Sequence, residues 1–276
     1  VAVHTGRVSP DVVRSPGEQW PRRRWRPRPR LNWALRMSLA VVWPVSALVY
    51  DLRLRHADRI PARGGVLLVA NHVSVLDPLA CAMLVYDAGR VPRFLAKDSV
   101  FTGLAGTILR AAGQIPVHRG TVAAQSSMGA AERALAAGEV VVIYPEGSVT
   151  RDPDWWPMQP RTGVARLALA TDAVVVPLAQ WGPQRVHDYH AKQFHPRLRT
   201  RAEYLVGEPV DLADLRARVQ EGRPVTTELL RETTDRLMGR VRDQLGEIRG
   251  ETPPVAVHPR PARRTPGDLP GAAGVA

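Results

Sequence analysis

Residues 71–77 read Asn-His-Val-Ser-Val-Leu-Asp and follow the apolar run 66–70. The spacing sets the imidazole of His72 just after a strand-like segment and the carboxylate of Asp77 where a helix should begin. A carboxylate bonded to one ring nitrogen fixes the tautomer and frees the other nitrogen to take a proton, which is the chemistry of a general base. A single His-x4-Asp also suits a blander arrangement, in which a loop carbonyl satisfies the histidine and the aspartate only caps a helix. Ser74 stands between them, yet the chain contains no Gly-x-Ser-x-Gly elbow, so a serine that bonds its own turn is the better account.

The elements that must position these groups follow from local physics. Val66, Leu67, Leu68 and Val69 form a short apolar run after Gly64-Gly65, the pattern of a buried strand. Asp77-Pro78 is a helix-start signal, because Asp accepts from free N–H groups and Pro lacks only a donor that would be unpaired there. Further along, strands are predicted at 93–96, 115–117, 140–144, 174–178 and 201–207. Helices are predicted at 78–87, 99–112, 124–137 and 163–171. Helical periodicity also runs over 211–245, with a break near Gly222–Pro224. Alternation of this kind indicates an α/β fold with a largely parallel sheet flanked by helices, and it brings His72 and Glu146 to one sheet edge. The stretch 51–65 reads as a linker.

Beyond the His72 turn come Phe94-Leu95-Ala96-Lys97, then Gly113-Gln114-Ile115-Pro116-Val117-His118-Arg119-Gly120. Next are 140–144 running into Pro145-Glu146-Gly147-Ser148, and last Val174-Val175-Val176-Pro177-Leu178. In this order and spacing the segments resemble the 1-acylglycerol-3-phosphate acyltransferases and related glycerolipid acyltransferases, over about residues 60–210. The resemblance implies that His72 is the general base and Asp77 its orienting partner. It implies that Arg119 meets the glycerol phosphate, with Lys97 a second cation near it. Glu146, Gly147 and Ser148, the last standing where many relatives have Thr, match the block that shapes the acceptor site. The Pro177 block matches a motif linked to the acyl-donor side. Many relatives place Arg directly after the Glu-Gly-Thr triplet, whereas here Val149-Thr150 intervene before Arg151, which the resemblance still implies as a further ligand of the phosphate.

The implied reaction moves an acyl group from acyl-coenzyme A or acyl carrier protein to the free hydroxyl of a lysophosphatidic acid, giving phosphatidic acid. Other lysophospholipids or a specialised lipid are alternative acceptors. Backbone N–H groups at the His72 turn or around Gly147 are candidate oxyanion donors. No cofactor and no metal is expected, since no His-Glu-x-x-His, clustered Cys/His or carboxylate-rich loop is present. Cys81, the single cysteine, falls in an apolar helix and reads as a small core residue. A hydrolase that uses the same histidine with water is a rival reading.

The formal net charge of +12 points to a polyanionic partner, either nucleic acid or an anionic bilayer. Arginines 22, 23, 24, 26, 28 and 30 form a proline-punctuated run with Trp20 and Trp25, directly before the apolar segment 31–50. That order suits attachment to a membrane surface. The uninterrupted apolar part, 37–50, falls short of the roughly 20 residues that span a bilayer, so a monotopic or re-entrant helix is expected on the cytoplasmic face of the cell membrane. A helix packed on the domain's own core is the competing reading, and the small-residue signature of a cleaved signal peptide is unconvincing. No nucleic-acid-reading motif occurs, and the strands are apolar, so no nucleic acid partner is expected. Trp155-Trp156 suit either a headgroup layer or a hydrophobic plug. The expected organisation is a disordered Arg/Pro-rich arm at 1–30, a membrane-associating helix at 31–50, an acyltransferase domain at 51–250 and a disordered tail at 251–276.

Overall fold

The computed structural model describes residues 29–117, 123–195, 197–220 and 224–260. The chain begins with α1 (Trp33–Val49), which passes directly into β1 (Tyr50–Arg55). Then come β2 (Val66–Ala70), α2 (Asp77–Asp87), β3 (Pro92–Lys97), α3 (Gly103–Ala111) and β4 (Ile115–Val117). After α4 (Ala123–Ala136) follow β5 (Val140–Ile143), α5 (Gly163–Ala170) and β6 (Val174–Trp181). A short hairpin of β7 (His187–Asp188) and β8 (Gln193–Phe194) precedes β9 (Thr200–Val206), α6 (Ala213–Gln220) and α7 (Thr227–Arg249).

Seven strands form one sheet in the order β1-β9-β6-β2-β5-β3-β4. Every neighbouring pair is parallel except β6 and β9. β2 is the central strand, and all five of its residues are buried. Its side chains alternate between two cores, as the period-2 pleat requires. Leu67 and Val69 join the core built with α4, α5 and α7, while Val66, Leu68 and Ala70 join the one that includes Ala80, Cys81, Leu84 and Val85 of α2. From β2 the chain moves outward to β3 and β4, returns to β5, and crosses to β6 on the other side. The strand order therefore reverses at β2, and the crevice beyond its carboxyl end is where such sheets hold ligands.

Three expectations change. The stretch expected as a linker opens with β1, whose Asp51, Arg53 and Arg55 alternate with Tyr50, Leu52 and Leu54, and which pairs in parallel with β9. β6 runs three residues past its predicted end, because antiparallel pairing with β9 (Leu178 with Val206 through Trp181 with Glu203) continues after β2 has stopped. Residues 251–260, expected within a disordered tail, lie along the 150s loop: Gln159 N–H donates to His258 O at 2.9 Å, and Arg260 Nη1 to Pro160 O at 3.3 Å.

α1 forms where the membrane-associating helix was expected, with Asn32 as N-cap accepting from Leu35 N–H at 2.9 Å. It does not pack as a core helix. Only Ala34 and Ser46 in it are buried, while Trp33, Met37, Val41, Trp43 and Leu48 each leave more than half of their surface exposed. No helix among the described residues is long and apolar enough to cross a membrane.

Candidate active site

His72 leaves the central strand and turns back on Asp77. Its Nδ1 lies 2.8 Å from Asp77 Oδ2, and the same oxygen accepts from the N–H groups of Val73 (2.7 Å) and Ser74 (2.9 Å). An acceptor carboxylate makes Nδ1 the protonated nitrogen and leaves Nε2 with its lone pair. The His72 side chain keeps 16% of its surface exposed, whereas Asp77 keeps none. Burial pushes the Asp77 carboxyl up from its ordinary value, and the hydrogen bonds from His72, Ser74 and Val73 pull the other way. Asp77 is the first residue of α2, but its carboxylate reaches back into the turn that precedes the helix. It is thus a clamp on the turn more than a cap. Ser74 behaves as a turn serine: its carbonyl accepts from Asp77 N–H at 3.1 Å and its hydroxyl from Leu76 N–H at 3.3 Å.

The second wall is the segment 144–150, which leaves β5 beside β2. The Tyr144 ring stacks on the His72 imidazole with centroids 4.3 Å apart and planes 21° apart. Glu146 pins the turn through its backbone: Oε1 accepts from His72 N–H at 2.8 Å and Oε2 from Met158 N–H at 3.0 Å. Burial pushes its carboxyl up to about 8, against those two hydrogen bonds. Thr150 N–H donates to His72 O at 2.8 Å, so both backbone polar groups of His72 are held by this segment. From the other side, β6 braces Asn71, whose side-chain oxygen accepts from Gln180 N–H at 2.9 Å and whose side-chain nitrogen donates to Gln180 O at 3.0 Å.

Gly147 adopts φ +76°, and a Cβ there would lie 2.9 Å from Arg161 Nε. A left-handed turn and a close neighbour together require glycine. Ser148 is half-buried, its hydroxyl 3.3 Å from the carbonyl oxygen of Val149. Lys97 ends β3 at the same carboxyl edge of the sheet and is exposed. Arg151 is drawn toward the β7–β8 hairpin: it donates to Tyr189 OH at 3.0 Å and lies 4.6 Å from that ring's centroid. Arg119 and His118 lie outside the described residues.

Several of the backbone donors expected for an oxyanion are already engaged. The N–H groups of Val73 and Ser74 go to Asp77, and that of Gly147 goes to Tyr144 O at 2.9 Å. Cys81 is a core residue, as expected; burial and the nearby Asp77 charge push its thiol well up, which makes it a poor nucleophile. Of the two roles weighed for Trp155 and Trp156, the hydrophobic plug is seen for Trp156. Trp156 is a buried plug under the Arg249 guanidinium at 4.2 Å, while Trp155 is half-buried and stacks on His190 at 3.9 Å.

Sequence reasoning passed over Tyr144, Thr150, Gln180 and Arg161. Tyr144 carried a signal, since an aromatic immediately before Pro-Glu-Gly is placed to flank whatever the block faces. Arg161 carried none: it is fourteen residues from Gly147 and meets it only through the loop, where its N–H donates to Pro145 O at 2.8 Å.

Residues 51–181 match the family model described as Acyltransferase. The fold is similar to the crystal structure of the 1-acyl-sn-glycerophosphate (LPA) acyltransferase PlsC from Thermotoga maritima. The TM-score is 0.51, with 74% of each chain covered at 20% identity, a likeness of fold. The chain is 36% identical over 141 residues to an uncharacterized protein of Mycobacterium leprae, covering 47% of this chain and 36% of that one. It is 35% identical over 149 residues to an uncharacterized protein of Mycobacterium tuberculosis, covering 50% of this chain and 39% of that one. The chain thus spans well under half the length of these curated relatives.

Proposed function

We propose that the protein transfers a fatty acyl group from a thioester, acyl-coenzyme A or acyl carrier protein, to the free hydroxyl of 1-acyl-sn-glycerol 3-phosphate, yielding phosphatidic acid. The observation that carries this reading is the His72–Asp77 pair at the carboxyl end of the central strand, 2.8 Å apart. An alcohol is a weak nucleophile at neutral pH, so His72 Nε2 accepts its proton as the oxygen attacks the thioester carbonyl. Asp77 stabilises the imidazolium that forms. The tetrahedral intermediate collapses with cleavage of the C–S bond, and the thiolate takes up the proton from His72. No cofactor is needed beyond the donor itself.

Arg119 and Lys97 are the proposed phosphate ligands, with Glu146, Gly147 and Ser148 shaping the acceptor's surroundings. Arg161, beside Gly147, is a better placed cation than Arg151, which is directed to Tyr189. We further propose that α1 holds the protein on the cytoplasmic face of the cell membrane as a peripheral or monotopic element. Its exposed apolar residues support this, because Trp33, Met37 and Val41 recur at helical spacing, and an exposed apolar stripe marks a surface that meets a partner or a membrane.

The test is a transfer assay with acyl-coenzyme A and a panel of lysolipids, with products read by mass spectrometry. Phosphatidic acid formed by the native chain and lost in His72→Ala is the expected result. Thiol release that proceeds equally without any lysolipid makes the protein a hydrolase. Arg119→Ala should raise the KM for the phosphorylated acceptor with little effect on a neutral one, and an unchanged KM removes Arg119 from the phosphate site.

A further inference from the structure

The segment 182–199, which joins β6 to β9 and contains the β7–β8 hairpin, has a surface that water alone does not suit. It carries Arg185, Lys192, Arg197 and Arg199 against a single acid, Asp188. Asp188 accepts from Ala191 N–H at 2.9 Å. Among the described residues, Arg185 and Arg197 have no ion-pair partner. With His195 they border a hollow of about 370 Å³ that Trp155, Trp181, Gln184 and Asp188 also line, so two guanidinium groups and an imidazole face one carboxylate there. Beside these cations stand two large apolar side chains, Phe194 and Leu198, 59% and 67% exposed.

The segment is also continuous with surfaces already described. Arg199 N–H donates to Leu48 O at 3.0 Å, so Leu198 adjoins the exposed carboxyl end of α1. On the other side, the Ser74 hydroxyl donates to His187 O at 3.2 Å, which ties β7 to the His72 turn and to Val75, 50% exposed. Unpaired arginines, a histidine, indoles and protruding apolar side chains together match an anionic lipid surface: the cations meet phosphates, the indoles suit the headgroup level and the apolar residues enter the acyl region.

We propose that the 182–199 segment is a second lipid-contacting element, with Phe194 and Leu198 entering an anionic phospholipid bilayer and the Arg185–Arg197–His195 hollow taking a headgroup phosphate. Together with α1 it sets the His72 turn at the membrane surface, where a lysolipid acceptor resides. The binding part of this inference stands apart from the acyl-transfer reading, because vesicle binding is measured without turnover.

The experiment uses the whole chain and phosphatidylcholine vesicles with or without phosphatidylglycerol. Phe194→Cys, carrying an environment-sensitive fluorophore in a Cys81→Ser background, should shift to a nonpolar emission on vesicles. A label that stays in a water-like environment while the protein is bound overturns the insertion. Phe194→Ser with Leu198→Ser should weaken vesicle partition about tenfold on both lipid compositions. Arg185→Gln with Arg197→Gln should weaken it about tenfold only when phosphatidylglycerol is present. Unchanged partition of the arginine variant, with a raised KM for acyl-coenzyme A, would assign the hollow to the donor's phosphates and overturn the headgroup site. All four positions are exposed, so an unchanged thermal midpoint is the expected check on folding.

Discussion

The His72 turn and helix α1 are both rich in apolar residues, and both lie against α2, yet they meet their surroundings in opposite ways. Around His72 the backbone and most polar side chains are held by partners within the fold: Asp77 Oδ2 has three donors, Glu146 has two, and Asn71 is tied to Gln180, although Asp77 Oδ1 and Tyr144 OH are buried without a partner. α1 instead leaves its large side chains without protein neighbours over most of their surface. Changes at the turn should therefore act on chemistry or on folding, while changes on α1 should act on association and leave the fold alone.

The largest expected effect tests the turn. His72→Ala should lower transfer by about two to four orders of magnitude with little change in the thermal midpoint, since the ring keeps 16% of its surface open and belongs to neither hydrophobic core. Asp77→Asn should lower transfer by about a hundredfold or more, because an amide does not hold the imidazolium or its tautomer as a carboxylate does. A histidine variant that melts early would mean the pair is structural, and the contrast would collapse.

Next comes the helix. Replacing Met37, Val41 and Leu48 together by Ser should reduce vesicle partition by about tenfold or more with the unfolding midpoint nearly unchanged. A large drop in stability would show that α1 is buried against another part of the chain, which would erase its difference from the turn.

Smaller effects sharpen the account of the pinned carboxylate. Glu146→Gln should cost about 1–3 kcal/mol in a denaturant titration, because the NH2 that replaces one oxygen turns a donor toward a backbone N–H, whereas a carboxyl, ionised or protonated, presents an oxygen to each of the two. The native protein should also lose stability as pH rises. Burial holds the Glu146 carboxyl at about 8 when folded against an ordinary value of 4.5, so the folded state binds this proton more tightly. Its contribution is fully present below the unfolded value and is lost as pH rises through about 8, with a slope of up to about 1.4 kcal/mol per pH unit between them. Asp77, also raised, acts in the same direction. Denaturation midpoints measured across this range should fall for the native chain and run flatter for Glu146→Gln.

Much of this was legible from residue types. β2 and β5 are continuous apolar runs and were read within a residue of their observed ends. His72 and Asp77 were paired correctly because only five residues separate them. β1 went unread because its three charges masked an alternation that suits an edge strand, where one face needs no core. The extension of β6 depends on β9, which lies far along the chain, so no local pattern reports it. The sequence places Glu146 in a block expected to shape the acceptor site, but carries no sign that its carboxyl also holds the backbone N–H of His72 across the gap between two strands.

Local order determined which groups sit together on one turn, the sequence of strands and helices, and an apolar amphiphile at residues 31–50, since all of these depend on neighbours a few residues apart. Only tertiary structure decided which backbone donors are already engaged, which arginine stands beside Gly147, and that α1 stays exposed while the 182–199 segment comes up against its end. Those facts rest on contacts between residues tens of positions apart, and distance along a chain carries no record of where its sheet will close.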